Sequence, residues 1–309
     1  MGLCDGRIVI VTGAGRGIGR EHALMMASEG AKLVVNDLGG AADGSGGDLS
    51  PAAQVVAEIE AMGGQAIANG DDISSWDGAQ RLIRTAVDGF GDLHAVVNNA
   101  GILRDRMLTN MTEDEWDAVI KVHLKGTFAP SRWAASYWRE CAKEGKPVDG
   151  RIVNTTSVSG IYGNPGQTNY GAAKMGIAAF TQIAAMELAR YGVTVNAVAP
   201  VALTRMTENL GPAPETDEER EMRSPRWIAP IVTWLTSAES AHVTGRVFEA
   251  SGQTLAVAEG WHRGPRMTPT DDPKNIGPMV ATLLETARPQ AGMNGEDGSW
   301  PWTTIRPKN

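Results

Sequence analysis

The chain has 309 residues, with 28 Lys and Arg against 36 Asp and Glu, giving a formal net charge of −8. A duplex-binding surface needs a basic footprint, so nucleic acid is excluded as an expected partner. Apolar residues make up 42% and charged residues 21%, a folded globular composition, and at about 150 residues per domain the length allows two domains or one large α/β domain. Cys4 and Cys141 form no C-x-x-C pair, so neither a metal site nor a disulfide framework is expected and both are read as thiols of a reducing compartment. No uncharged apolar run approaches the ~18 residues of a membrane span. The chain runs from Arg7 into a short apolar stretch and then into glycines, unlike a signal peptide. Gly6 stands where a myristoylation start wants Ser or Thr, and the terminal Pro307-Lys308-Asn309 is not a peroxisomal signal. The expectation is a soluble cytoplasmic protein with no membrane partner.

Short Val/Ile/Leu-rich runs occur at residues 7–12, 31–37, 65–69, 93–98, 151–157, 193–199 and 246–250. All but 65–69 are nearly continuous in small or β-branched apolar residues, as strands buried on both faces are. Amphipathic segments such as 17–28, 51–62 and 76–88 fill the gaps. This alternation predicts a Rossmann-like, doubly wound parallel sheet of about seven strands with helices on both faces. Residues 1–258 read as one such domain. Residues 259–309, rich in Pro, Gly and Trp, read as an extension that packs on the domain or a neighbouring subunit, with a short amphipathic helix at 276–287. Residues 39–50 (GGAADGSGGDLS) form a glycine-rich loop beside the expected crevice.

The run TGAGRGIG at residues 12–19 follows the first strand and opens the first long helix. Gly13 suits the tight turn, while Gly17 and Gly19 let backbone and helix approach a pyrophosphate at the helix N-terminus. Asp37 lies close to the ~20 positions downstream at which an acidic residue meets the adenosine ribose hydroxyls. A carboxylate there repels a 2′-phosphate, so NAD is expected ahead of NADP. Arg16, inside the loop, pulls the other way. The plain alternative for Asp37 is a strand-end turn residue.

Further on come NNAG at residues 98–101, Ser157, and Tyr170 with Lys174 one helical turn later. Together with TGAGRGIG, in this order and on these elements, they resemble the short-chain dehydrogenase/reductase family over about residues 6–258. The resemblance implies an NAD(P)-dependent oxidoreductase acting on a secondary alcohol. It places Asp72 and Ile73 at the adenine, and Asn99, Ala100 and Gly101 at the turn supporting the central strand. Pro200, Leu203 and Thr204 fall on the nicotinamide side and Ile18 in the glycine loop. Tyr170 and Lys174 share a helix face. An ordinary phenol, with pKa ~10, is too weak an acid to serve as a base at neutral pH. A neighbouring ammonium and an oxidised nicotinamide would both favour the tyrosinate, and Ser157 would hydrogen-bond the same substrate oxygen.

Where the family commonly has Asn, this sequence has His123, within VHLKGTF at residues 122–128. The helix opens with a Thr112–Glu115 capping box, and Trp116, Val119, Ile120, His123 and Leu124 fall on one inward stripe. His123 is then either a core histidine or a continuation of a proton relay from Lys174 through water. VNDLGG, NNAGILRDR, VHLKGTF, SGIYGNPGQTNYGAAK and RMT resemble one branch of the family. This is the (3R)-hydroxyacyl-CoA dehydrogenase unit of peroxisomal multifunctional enzyme type 2 (17β-hydroxysteroid dehydrogenase type 4) and its bacterial stand-alone relatives. That resemblance implies oxidation of a (3R)-hydroxyacyl-CoA, fatty or steroidal, by NAD. The alternatives are a free 17β-hydroxysteroid or other secondary alcohol, or a catalytically silent nucleotide sensor. Arg104, Arg106, Arg205 and Arg263 are candidates for a CoA phosphate, with solvated salt-bridge residues as the plainer reading. The acidic stretch 215–221 lies where the family has a substrate lid and reads as a solvated helix face. Long helices of this family pair across dimers, so a homodimer or homotetramer is expected, with Trp133 and Trp138 at the interface.

Overall fold

β1 (Ile8–Thr12) is five consecutive buried residues, IVIVT. Alternate side chains leave a strand on opposite faces, and here both faces are covered. Val9 and Val11 enter one core with Leu33 and Val35, while Ile8 and Ile10 enter a second with Val34. The computed structural model describes residues 2–208 and 213–298. In chain order β1 is followed by α1 (Gly17–Ser28), β2 (Lys32–Asn36), α2 (Ser50–Ala61), β3 (Gln65–Asn69), α3 (Trp76–Phe90) and β4 (Ala95–Asn98). Then come α4 (Glu113–Ile120), α5 (Gly126–Lys143), β5 (Gly150–Thr155), α6 (Val158–Tyr162), α7 (Thr168–Leu188) and β6 (Val193–Pro200). The first unit ends with α8 (Asp217–Met222), α9 (Ala229–Thr236), β7 (Val247–Ala250) and β8 (Leu255–Ala258).

The sheet runs β3-β2-β1-β4-β5-β6-β7-β8. All pairs are parallel except β7–β8. The first core joins β-strand residues to Ala23 and Met26 of α1, Val55 and Ile59 of α2, and Val232 and Leu235 of α9. The second holds Leu82 and Ile83 of α3, Ala134 and Trp138 of α5, and Ala184 of α7. Strand order reverses between β1 and β4, so a crevice opens beyond the carboxyl ends of these strands, the usual ligand position in such sheets.

Three features depart from expectation. An eighth strand, β8, adds an antiparallel edge. Leu255 is 66% exposed and Val257 47%, so its short apolar run carries neither the burial nor the flanking helix that marked the other strands. Trp138 is 2% exposed and donates its indole N–H to the Leu93 carbonyl at 2.7 Å. It is a core residue of this chain and not an interface residue, because the inward face of α5 carries it beneath β4. The inward stripe of α4 is also narrower than its spacing suggests. Trp116 is 38% exposed, because residues Lys121–Lys125 form a π-helical turn that shifts the phase between α4 and α5. The capping box at Thr112 and Glu115 is formed.

The chain divides into two compact units at Ala258/Glu259. The second contains α10 (Ile276–Thr286), a bridge between Ala291 and Asp297, and an Arg288–Asp297 hydrogen bond of 2.8 Å. Trp300 and the rest of the C-terminus lie outside the described residues. No helix among the described residues is long and apolar enough to cross a membrane.

Candidate active site

The glycine loop between β1 and α1 is held open by backbone contacts that leave no room for side chains. Gly13 has φ +63°, and a Cβ there would stand 2.7 Å from Ala100 Cα. At Gly19 a Cβ would lie 2.2 Å from the Gly13 carbonyl oxygen, so α1 starts directly against the turn. Thr12 locks this turn to the NNAG segment. Its hydroxyl accepts the N–H groups of Asn99 and Ala100 at 3.0 and 3.1 Å, and the Asn99 amide donates to the Thr12 and Gly13 carbonyls. Asn98 extends the tie across the sheet to Ser131 and Asn154, and Asn154 to Thr181. Thr204 also reaches the loop, with its methyl 3.7 Å from where a Gly17 Cβ would stand.

Asp37 follows the last residue of β2 and closes the loop from the other side. One carboxylate oxygen accepts Gly15 N–H at 2.8 Å and the other accepts Gly39 N–H at 2.7 Å. The segment after it is held at several points. Asp48 N–H bonds the Leu38 carbonyl, Leu103 N–H the Ala42 carbonyl, Arg104 the Asp43 carbonyl at 3.0 Å, and Arg205 the Gly40 carbonyl at 3.3 Å. The glycine-rich segment thus runs from β2 past β1 to the chain beyond β4. Asp72 accepts Ser74 N–H and O–H and lies 3.9 Å from Lys121, while Ile73 is buried against Gly126. Leu203 N–H donates to the Arg223 carbonyl, tying the end of β6 to the residue after α8. Ile18 packs partly buried against the first core. Arg16 is exposed at the start of α1.

The chemistry-bearing side chains meet where β5, α6 and α7 converge. Ser157 caps α6, its oxygen accepting Ser159 N–H at 3.1 Å, which leaves the hydroxyl proton free to donate. Lys174 is 3% exposed and donates its ammonium to the Thr155 carbonyl at 2.6 Å; the Thr156 hydroxyl in turn donates to the Lys174 carbonyl at 2.6 Å. The ammonium lies 5.5 Å from the centre of the Tyr170 ring. Burial pushes the Tyr170 phenol up to about 12, against a lowering hydrogen bond with Ser157 and a further raising effect from Asp105. Burial also lowers Lys174 to about 7. The ammonium by itself therefore does not bring the phenol below its ordinary value. Desolvation outweighs it, and Lys174 is itself spent on a carbonyl. An additional positive charge is needed to bring the tyrosinate within reach.

His123 is 1% exposed, and its ring meets that of Tyr170 edge-on at 5.1 Å between centroids. Its Nε2 lies 2.7 Å from the Ile102 carbonyl oxygen and 3.1 Å from Ile102 N, while Nδ1 is buried without a partner. Burial first, and then Lys174, lower it to about 3, so the ring is neutral. Gly101 makes room for it: a Cβ there would stand 2.3 Å from His123 Cε1.

Of the four candidate arginines, Arg104 and Arg205 hold loop carbonyls, as described. Arg106 pairs with Glu115 at 2.8 Å, which holds that carboxyl down at about 2. Arg263 is exposed in the second unit. Residues 215–221 are exposed and run through Thr216, the N-cap, into most of α8. A cleft of about 380 Å³ lies between this segment and the β7–β8 turn, lined by Val201, Met222, Ser251 and Gln253 among others. Among the described residues no group of three or more His, Cys, Asp or Glu could hold a metal ion. Sequence reasoning missed Thr12, whose part lies in a backbone clamp that no motif spacing announces. It also missed Asp105, half-buried and bonded to Gln167 at 2.8 Å.

Residues 7–215 match the family model of the short chain dehydrogenases. The chain is 44% identical over 289 residues to hydroxyacyl-CoA dehydrogenase ChsB1 of Mycobacterium tuberculosis, covering 91% of this chain and 88% of that one. It is 44% identical over 257 residues to peroxisomal multifunctional enzyme type 2 of Mus musculus, covering 83% of this chain and 32% of that enzyme. A crystal structure of a short chain dehydrogenase from Mycobacterium avium matches with a TM-score of 0.85 at 52% identity, covering 94% of this chain and 99% of that one.

Proposed function

The chain belongs to the short chain dehydrogenase family, and we propose that it oxidises (3R)-hydroxyacyl-CoA to 3-oxoacyl-CoA with NAD. The convergence of Ser157, Tyr170 and Lys174 at the carboxyl edge of the sheet carries the catalytic half of this reading. The hydroxyacyl-CoA half is supported by what the relatives from Mycobacterium tuberculosis and Mus musculus are named for.

The glycine loop fits a dinucleotide, since the positions at which Cβ atoms would collide with Gly13 O and Ala100 are all glycine. Gly13, Gly17 and Gly19 would face the pyrophosphate, Asp37 the ribose hydroxyls, and Asn99, Ala100, Pro200 and Thr204 the nicotinamide half. Asp37 favours NAD because a 2′-phosphate would be set against its carboxylate. When bound, oxidised NAD supplies the hydride acceptor and a positive charge beside the phenol. Tyr170 Oη takes the hydroxyl proton of the alcohol, and the O–H bond breaks as the carbonyl forms. Ser157 donates its hydroxyl proton in a hydrogen bond to the same oxygen and holds it in line. Lys174, as its ammonium, favours the ionised phenol. The same reading takes the protein as a homodimer or homotetramer, supported by the exposed Phe128, Ile183 and Met186 on α5 and α7.

The test follows NADH absorbance with NAD and resolved (3R)- and (3S)-3-hydroxyacyl-CoA of several chain lengths, beside free 17β-hydroxysteroids. Turnover of the (3R) thioesters, abolished in Tyr170→Phe with NAD affinity intact, is the expected result. A preference for (3S) or for the free steroid defeats the substrate assignment. Silence with every alcohol, NAD binding being retained, leaves a nucleotide sensor in its place.

A further inference from the structure

Ser157 is useful only if its hydroxyl is held toward Tyr170, and the five-residue helix it caps is too short to hold itself in place. α6 is fastened at its beginning and middle by the catalytic lysine's own residue. Thr155 and Thr156, just before Ser157, bond the Lys174 ammonium and carbonyl. At Gly160 a Cβ would stand 2.7 Å from Lys174 Cβ and 2.8 Å from Met175 N, so α6 lies directly on α7 there. Beyond Gly160 the chain turns away from α7 through Gly163, at φ +85°. This far end is held by Ile161, which packs with Ala178, Ala197 and Val247, and by one directional bond to a different strand: the Tyr162 hydroxyl donates to a carboxylate oxygen of Glu249 on β7. β7 is two strands away from β5. Thr155 pairs with Val198 on β6, and Ala199 pairs with Glu249, so the bond spans the carboxyl edge one residue beyond the level of Thr155.

We propose that the Tyr162–Glu249 pair is a positioning element for Ser157, anchoring the far end of α6 to β7 so that the hydroxyl at its near end stays aimed at Tyr170. The inference rests on the dehydrogenase reading above. A phenol donating to a carboxylate is a charge-assisted bond, stronger and more directional than a neutral one. Both side chains are only partly buried, so the carboxylate need not bear the full cost of desolvation. Burial and the Glu249 carboxylate both push the Tyr162 phenol up, which keeps it a donor across the working range. Glu249 is itself held in register between Ala199 on one side and Ala256 of β8 on the other. Without the pair, α6 keeps its close approach at Gly160 and the apolar packing of Ile161, neither of which fixes its direction as a hydrogen bond does, and it can pivot about them. Such a pivot moves Ser157 relative to a Tyr170 that stays fixed on the longer α7.

The experiment uses Tyr162→Phe, Glu249→Ala and Glu249→Gln, each alone and combined with Ser157→Ala, in the NADH assay with the (3R)-hydroxyacyl-CoA. Because misplacement of a catalytic group by a fraction of an ångström is costly, Tyr162→Phe and Glu249→Ala should each lower kcat by roughly tenfold. KM should hold, and the isotope effect from deuterium at C3 should rise, as the chemical step becomes more limiting. Glu249→Gln, whose amide oxygen still accepts the phenol, should restore most of the rate. In the Ser157→Ala background Tyr162→Phe should add almost nothing, since the group it positions is gone. NAD affinity should stay near wild type throughout, and the thermal midpoint should fall only by the few degrees that one lost charge-assisted hydrogen bond costs. An equal loss with and without Ser157, or wild-type kcat in Tyr162→Phe, overturns the proposal while leaving the dehydrogenase reading intact. A rate loss that tracks a fall in NAD affinity, or that disappears at temperatures well below the thermal midpoint, also overturns it. If Tyr162→Phe fails to fold, Glu249→Ala against Glu249→Gln makes the same comparison. A wild-type protein that forms no NADH from any alcohol defeats both.

Discussion

Replacing Lys174 by Met should abolish turnover and yet stabilise the fold at neutral and acidic pH. Burial lowers this ammonium from the ordinary 10.5 to about 7, which corresponds to about 5 kcal/mol against the charged form. Below pH 7 the lysine is charged in both folded and unfolded chains, and the native state carries the whole of that cost. Between about 7 and 10.5 the unfolded chain holds a proton that the native lysine has released, so stability rises with pH. Above 10.5 both are neutral and the cost is gone. Met has a similar unbranched shape and no charge, but it gives up the 2.6 Å bond from Nζ to the Thr155 carbonyl, worth about 1.5–3 kcal/mol.

The difference is a net gain of about 2–3.5 kcal/mol at pH 6, or a thermal midpoint raised by roughly 4–14 °C. Near pH 10.5 the electrostatic gain has vanished and the lost hydrogen bond remains, so the variant should be the less stable of the two. Urea titrations of both proteins without nucleotide, at pH 6 and pH 10.5, read this reversal directly. A Lys174→Met protein no more stable than wild type at pH 6, or with the same advantage at both pH values, would show that the ammonium is not held at a cost.

Asp37→Ala removes the carboxylate that accepts the Gly15 and Gly39 amides; the ratio of kcat/KM with NADP to that with NAD should rise at least roughly tenfold, since unpairing or repelling a charged group is worth more than about 1.4 kcal/mol. Gly19→Ala sets a methyl 2.2 Å from the Gly13 carbonyl, so NAD affinity measured by calorimetry should be lost even where the protein still folds. His123→Asn supplies an amide that can serve both Ile102 N–H and Ile102 C=O, where the imidazole Nε2 can serve only one. It should keep kcat within a few-fold and raise the thermal midpoint; a loss of kcat with the midpoint unchanged would show that the ring itself is needed in turnover.

What could be read from the sequence was what repeats along the chain. The IVIVT run of β1 and the glycine loop that follows it are local patterns, and α1 begins at Gly17 as the spacing predicts. Ser157, Tyr170 and Lys174 lie close in sequence and were legible together. β8 was not, because LAVA is too short to show a period and its side chains are exposed. The π-turn at Lys121–Lys125 is invisible for a related reason. It changes the helix phase by a single residue, and Trp116 falls outside the buried stripe as a result. The raised Tyr170 phenol was not legible, because proximity to Lys174 can be read from spacing and depth of burial cannot. Tyr162 and Glu249 lie far apart in the chain, and only the register of β5, β6 and β7 brings them together.

The same distinction explains why the chemistry is better defined than the acyl group. A proton-transfer site needs a few atoms held tightly, and motif spacing on rigid strands and helices supplies that. Recognition of a CoA phosphate needs cations, and three of the candidates already have partners: Arg104 and Arg205 on loop carbonyls, Arg106 on Glu115. A phosphate binds a guanidinium more strongly than a neutral carbonyl does, so Arg104 and Arg205 are the two that an anionic ligand could draw away from their partners. Both hold the segment that runs from Asp37 past the glycine loop. An acyl-CoA of the kind proposed that engaged them would alter the contacts of the chain beside the glycine loop, and substrate and nucleotide would then be coupled through residues 38–48 even without touching.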